Sequence, residues 1–381
     1  MKITDIRLTE NFYVPGSAQS DAITSIPALN TLRFCEIHTD EGLVGLVPAA
    51  AGPVIGVLIE EVLKPYVIGE DPMDNERIWS KMYWGTLSNG RRGAAVIAMG
   101  IVDNAIWDLK GKITRQPLHK LLGGFQEQVN SYGSGINLHL SIDELIGQMA
   151  GYAADGFKMV KMKIGHRDPK EDLERVRQVR KAIGDDLELA LDANNAWSLN
   201  TAIRMVRELE RYNIYWLEEP ILVDEMENLA ALAKATDIPI AIGENHYTKW
   251  DFKQLIERGA VDIVQADVVK CGGVTEFMKI AAMADAHGLP VCPHFSNFTD
   301  VSCIAAIPNG LFHEYVADMF EPASRLLMDC ARPVAGMTTP LDRPGFGLEL
   351  NLQAMHHHRQ KLESGDAARV TVRGWRWGPY L

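Results

Sequence analysis

Three carboxylic acids fall at equal intervals in this chain, each closing a short apolar run: Asp192 after LELAL, Glu218 after IYWL and Glu244 after IPIAIG, 26 residues apart. An interval of that size accommodates one strand and one helix. In a closed parallel barrel each such step returns the chain to the same rim, so acids distant in sequence meet at the C-terminal ends of neighbouring strands. Unpaired carboxylates gathered there repel one another unless a cation neutralises them. Oxygen-only ligands suit a hard divalent ion, and the set predicts Mg²⁺, with water or substrate completing the octahedron. A single acid after a strand would mean little, because Asp and Glu commonly cap the helix that follows; three in register carry the argument.

The rest of the chain fits that frame. From Val129 onward, apolar strand, polar turn and amphipathic helix alternate, and VNSYGSGINL, MVKMKIG, LELALDAN, IYWLEEP, IPIAIGEN, DIVQADVV, PVCPHF and LFHEYV are the eight strand candidates. Helices are predicted between them over Glu171–Ile183, Thr201–Tyr212, Glu225–Thr236, Trp250–Arg258 and Val274–His287. Eight strands in this alternation predict a closed barrel. Residues 1–125 lack the rhythm: antiparallel strands near KITDIRL and LRFCEIHTDEGLVG, then helices at Ile55–Val67 and Gly93–Lys112, make an α+β unit that would cap the barrel of residues 126–320. Residues 321–381, rich in Pro and Gly at first, read as a loop-like segment returning to the cap.

Composition excludes several classes of function. A net charge of −12 and the lack of a basic segment argue against nucleic acid as partner. No run of about 18 apolar residues occurs, so no membrane span is expected. Five cysteines without CxxC spacing fit free thiols in a reducing cytoplasm better than a disulfide frame.

Other candidate chemistry lies on the same strand ends. Lys161 and Lys163, two apart on one strand, face the barrel mouth together, and crowded cations beside a metal would lower the proton affinity of each and so ready a lysine as a base. Alone, such a pair would be surface lysines with solvated heads. Glu219 points away from Glu218 by strand period and is expected to support it from behind or to pair an ion. Asp267 ends DIVQAD and His294 lies 27 residues on in PVCPHF. An aspartate bonded to one imidazole nitrogen fixes the tautomer and leaves the other nitrogen to carry a proton. Glu314 in LFHEYV, if protonated, would donate a hydrogen bond to a developing oxyanion.

The series Lys161-x-Lys163, Asp192 in LDAN, Glu218 in WLEEP, Glu244 in IGEN, Asp267 before KCGG, His294 in PHF and Glu314 resembles the enolase superfamily, specifically its mandelate racemase subgroup. The resemblance extends to AIWDLKGK (Ala105–Lys112), LLGG (Leu121–Gly124) and RPGFGLELN, and so covers nearly the whole chain. It implies an α+β cap over a modified (β/α)₇β barrel, one Mg²⁺, and abstraction of a proton α to a carboxylate to give an enediolate. Lys163 would stand on one face of the substrate carbon and His294 on the other, with Lys161 aimed at the carboxylate. Where muconate-type relatives carry a second lysine base on the sixth strand, this chain has Asp267, leaving Lys270 a supporting role.

Two opposed bases suit β-elimination of water or inversion at carbon. Acid sugar dehydratases are the commoner outcome in the subgroup, which points to an aldonate or aldarate converted to a 2-keto-3-deoxy acid. A racemase or epimerase of 2-hydroxy or sugar acids is the alternative, and a non-catalytic protein that keeps the barrel for assembly or ligand binding is a third. In the cap, the loop Val14–Asn30 matches the place where relatives contact the far end of the substrate. Its Ser17, Gln19, Ser20, Asp21 and Thr24 suit a polyol, and Asn89, Arg91 and Arg92 would serve anionic groups or domain contacts. The run His356-His357-His358 lies outside the barrel pattern and reads as solvated. The family resemblance also implies a homo-oligomer.

Overall fold

The computed structural model describes residues 1–50, 52–296 and 298–359 and the backbone of Thr371–Val372. Six strands of the barrel run in parallel order from Val129–Ser134 through Met159–Lys163, Glu188–Asp192, Ile214–Glu218 and Ile240–Ile242 to Ile263–Val264, and His313–Val316 pairs with Val129–Ser134 on the other side. These strands are buried on both faces, as parallel strands covered by helices must be. The seventh strand expected in PVCPHF is reduced to one bridging residue: Val291 pairs with Val264 on one side and Gly310 on the other and closes the ring. Pro290 and Pro293 flank it, and the N–H that each lacks leaves little ladder to build there.

Register places the chemistry. Lys163 lies opposite Asp192, and Asp192 opposite Glu218, so three functional side chains form one row across adjacent strand ends. One layer below, Tyr132, Met159, Ala190, Trp216, Ala241, Ile263 and Cys292 fill the barrel as an apolar plug, and the Tyr132 and Trp216 rings meet edge to face at 5.3 Å. The mouth therefore has a dry floor.

Local signals explain the outer helices. Ser141 and Glu144 form a reciprocal capping box at the start of Ile142–Ala154, and Asp168 with Pro169 at the first position begins Pro169–Ile183, which ends at Gly184 with φ of 77°. Ser198 caps Leu199–Leu209. In the cap, the strand Leu29–Thr39 pairs antiparallel with Ile3–Leu8 and Phe12–Pro15 along one edge and with Val44–Ala49 along the other. The helix read over Ile55–Val67 is broken by a π-helical turn at Leu58–Leu63, just ahead of Pro65, whose missing N–H cannot close a regular turn. A 21-residue helix, Ala94–Thr114, lies between cap and barrel.

The stretch after Glu321 is more structured than its composition predicts. Ala317–Ser324 is helical, Met337–Thr338 adds antiparallel to Val129–Asn130, and Leu352–His357 forms a short helix. The Phe346 N–H donates to Asp108 on the long cap helix, and the Tyr13 N–H donates to the His358 carbonyl. Residues 360–370 and 373–381 of the C-terminal segment lie outside the described residues.

Candidate active site

Asp192, Glu218 and Glu244 come together at the barrel mouth, all buried, each offering an oxygen within 4.8 Å of the others. Each is held from behind. The Asn194 N–H donates to Asp192 Oδ1 at 2.9 Å, Gln265 Nε2 and Trp216 Nε1 donate to Glu218 Oε2 at 2.7 and 3.2 Å, and Asn245 Nδ2 donates to Glu244 Oε1 at 3.0 Å. An all-oxygen donor set of this kind fits Mg²⁺. Three buried anions cannot stand alone in a medium of low dielectric. Lysines compensate part of their charge: Lys163 Nζ contacts Asp192 Oδ2, and Lys161 Nζ sits 2.8 Å from both Glu218 oxygens and 2.8 Å from Glu314 Oε1.

Those contacts decide the protonation pattern. Burial alone would lower both lysines, but Glu218, Glu314 and Asp192 hold Lys161 well above the usual ammonium range, and Asp192 raises Lys163. Lys161 does lower Lys163, as crowded cations should, yet the carboxylates, Asp192 first, outweigh it; a cation held by those same carboxylates would take up that compensation. Glu314 also departs from expectation. Burial favours its neutral form, but the Lys161 ammonium and then His294 pull it down to about 2, so it is an anion that pins Lys161 rather than a neutral donor. Its other oxygen, Oε2, accepts the Phe295 N–H at 3.0 Å.

Across the mouth, His294 Nδ1 meets Asp267 Oδ2 at 2.8 Å, while Nε2 lies 3.3 Å from Glu244 Oε2. Burial works against its charged form, but Glu244 and Asp267 hold the imidazole above the usual histidine range. The second oxygen of Asp267 accepts the N–H groups of Val269 and Lys270 at 2.7 and 2.8 Å, which locks the carboxylate to its own loop. Lys270 Nζ approaches Glu244 Oε1 at 3.7 Å.

Glu219 is fully buried, with φ of 40°, and shares the Asn245 amide with Glu244. It accepts from Asn195 Nδ2 at 2.6 Å and from Asn245 Nδ2 at 3.0 Å, stitching the loops after three successive ligand strands. Sequence reasoning passed over Asn194, Asn195, Asn245 and Gln265; the only signal was their place beside the acids in LDANN, GEN and QAD.

On the cap side, the loop Val14–Asn30 lies against the barrel rim. Ser20 bridges to Asn137 in the loop after the first barrel strand, and Gln19 Nε2 donates to the Asp318 carbonyl after the last. Ser17 Oγ donates to Asp318 Oδ1 at 2.8 Å. Asp21 closes its own turn, accepting from Ile23 N, Thr24 N and Thr24 Oγ1. Gln19 Oε1 and Ser20 Oγ are buried with no partner among the described residues. Arg91 is exposed, whereas Arg92 spans the two domains, donating to Asp251 Oδ1 at 2.7 Å and to Asp224 Oδ1 at 3.0 Å. Of the three histidines His356, His357 and His358, the first two are exposed on the outer helix.

Comparison with known proteins agrees with this geometry. Residues 20–123 match the mandelate racemase / muconate lactonizing enzyme N-terminal domain, and residues 144–354 match the enolase C-terminal domain-like family. The chain is 41% identical over 321 residues to arabinonate dehydratase of Saccharolobus solfataricus, covering 82% of this chain and 86% of that one. It is 34% identical over 307 residues to 3,6-anhydro-alpha-L-galactonate cycloisomerase of Streptomyces coelicolor, covering 80% and 83%. L-Talarate dehydratase from Polaromonas sp. JS666, solved with Mg and L-glucarate, superimposes with a TM-score of 0.84 at 35% identity, over 94% of this chain and 97% of that one. With barrel, cap and acidic triad in agreement, the chain belongs to the mandelate racemase / muconate lactonizing enzyme family of the enolase superfamily.

Proposed function

We propose that the protein is a Mg²⁺-dependent hydro-lyase that dehydrates an aldonate or aldarate to its 2-keto-3-deoxy acid. The observation that carries this reading is the pair of proton carriers set apart around one carboxylate cluster: Lys163 beside Asp192, and His294 bonded to Asp267 next to Glu244. Asp192, Glu218 and Glu244 would hold Mg²⁺, which supplies positive charge for a substrate carboxylate as it becomes doubly anionic.

The chain's own residues do the rest. Lys161, fixed by Glu218 and Glu314, presents an ammonium to the same carboxylate and stabilises the charge that develops there. One of Lys163 and His294, in its neutral form, takes the α proton, and the C–H electron pair passes into the carboxylate as an enediolate. The other, as its acid, protonates the departing β-hydroxyl, which leaves as water; the enol that remains then tautomerises to the 2-keto acid. Asp267 holds the imidazole so that Nε2 faces the mouth. Ser17, Asp21 and Arg91 complete the cap-side reading for the distal end of the substrate, joined by Gln19 Oε1 and Ser20 Oγ, which have no partner among the described residues.

A panel of stereochemically diverse sugar acids incubated in D₂O tests this. Formation of a 2-keto acid from one of them is the expected outcome. Deuterium uptake with inverted configuration and no keto acid supports the second reading, an epimerase or racemase, which the cycloisomerase relative favours. Placement in a reducing cytoplasm is supported by the five free cysteines, and no helix among the described residues is long and apolar enough to cross a membrane. Assembly into a homo-oligomer is supported by apolar surface such as Trp84 and Trp250 left exposed.

A further inference from the structure

The helix Val274–Ala286 begins at Gly273, which has no side chain to cap it. Its first N–H groups are nevertheless satisfied, and by the other domain. Val274 N–H donates to Asn104 Oδ1 at 2.9 Å, and Thr275 N–H donates to Asp103 Oδ2 at 2.8 Å, both acceptors lying on the long cap helix. Thr275 Oγ1 also donates to Asp103 Oδ1 at 2.6 Å and accepts from Trp107 Nε1 at 2.9 Å. Helix starts need such acceptors, usually from the residue immediately before them. Here they come from more than 160 positions upstream.

Two cap helices, this one and Asn75–Gly85, grip the loop that leads into that start. Asn104 Nδ2 reaches the Val268 carbonyl at 3.4 Å, and Trp79 Nε1 donates to the Gly272 carbonyl at 2.8 Å. A Cβ on Gly100 would stand 2.0 Å from the Val269 carbonyl oxygen, and one on Gly273, where φ is 96°, would stand 2.4 Å from Asp103 Oδ2. Backbone therefore rests on backbone. The gripped loop is the one whose Val269 and Lys270 N–H groups hold Asp267, and Asp267 holds His294.

We infer that Asn104 and Asp103 are positioning residues for the Asp267–His294 pair, so that the long cap helix sets the aim of one of the two proton carriers and not of the other. Lys163 has a separate support: its N–H donates to Asn137 Oδ1 at 2.9 Å in a loop on the far side of the mouth. The inference rests on the two-base reading given above.

The test measures α-proton exchange in D₂O for two substrate epimers, one presenting its α proton to Lys163 and one to His294, in wild type, Asn104→Ala and Asn104→Asp. In Asn104→Ala, exchange on the His294 face is expected to fall about tenfold or more, as small misplacements of a proton carrier do, while the Lys163 face stays within about twofold. Asn104→Asp keeps an acceptor for Val274 and should recover most of the loss. Equal loss on both faces, or no loss on either, overturns the inference. If Asn104→Ala does not fold, Thr275→Val, which removes the hydroxyl bond to Asp103, is read in the same way. Wild type showing no exchange with any sugar acid would instead overturn the proposed function, so the two failures are distinguishable.

Discussion

His294 and Asp267 meet through Nδ1 and Oδ2 at 2.8 Å, and the opposite nitrogen of the ring lies 3.3 Å from Glu244. One histidine thus touches both a fixed orienting carboxylate and a residue of the acidic triad. Replacing His294 by Asn should cut turnover by about 10²–10⁴-fold, the usual worth of a general acid or base, and Lys163→Ala should do the same. Mg²⁺ binding, followed by metal-dependent thermal shift, should persist in both. Full activity of both variants on an identified substrate would remove them from the chemistry.

Metal affinity should depend on a residue that is not itself a ligand. Gln265 Nε2 donates to Glu218 Oε2 at 2.7 Å from a fully buried position. Gln265→Leu leaves that carboxylate oxygen without the donor and should weaken Mg²⁺ about 10–100-fold, the range seen when a group behind a ligand is removed. Glu244→Gln should weaken it further, and EDTA should abolish activity until Mg²⁺ is restored. Titration calorimetry with Mg²⁺ alone checks the ranking; an unchanged Kd for Gln265→Leu contradicts it.

Asp103 gives a pH dependence whose sign is opposite to that of most carboxylates. Burial pushes its folded-state value up to about 7, opposed by the Thr275 bonds and reinforced by Glu276 and Glu76. Between the ordinary unfolded value near 4 and about 7, the folded chain keeps a proton that the unfolded chain has lost. Stability from this group therefore declines as pH rises through that window, with a slope of up to about 1.4 kcal/mol per unit. Asp103→Asn should flatten this part of a urea-melting series measured from pH 4.5 to 7.5. A slope unchanged by the substitution refutes the assignment.

Arg92 links the cap to two barrel loops through Asp224 and Asp251. Because it is half exposed, its removal should lower stability by less than about 1 kcal/mol. Asp251 also accepts the Tyr247 N–H at 3.1 Å, just beyond Glu244 and Asn245, so Arg92→Ala should act on the seating of the cap. KM is expected to rise several-fold with kcat nearly unchanged. A fall in kcat at constant KM would place Arg92 in a different role.

Legibility in the sequence followed distance along the chain. The barrel was readable because each β/α step repeats a local pattern, and convergence of Asp192, Glu218 and Glu244 follows from that repeat once the ring closes. Protonation was not readable: whether Lys163 or Glu314 gains or loses a proton depends on which counter-charges end up within about 4 Å, a result of three-dimensional packing. Nor was the capping of Val274 and Thr275 by Asn104 and Asp103, since capping is sought among adjacent residues. Nor does the sequence disclose that Ser17 and Asp21, read as groups for a ligand, also engage Asp318 and the Asp21 turn.

Among the described residues, Val291 is the one that bridges both the sixth stave and Gly310 ahead of the eighth. Two backbone hydrogen bonds on each side fix Pro290–Cys292, and beyond that short ladder the stretch bearing the imidazole is held by side-chain tethers: Asp267 to His294, Ser296 to Val268, Glu314 to Phe295. Substitutions among these tethers would re-aim the proposed proton carrier while the other seven staves keep their shape, which makes this seam the part of the scaffold where new stereochemical preferences would arise without unfolding it.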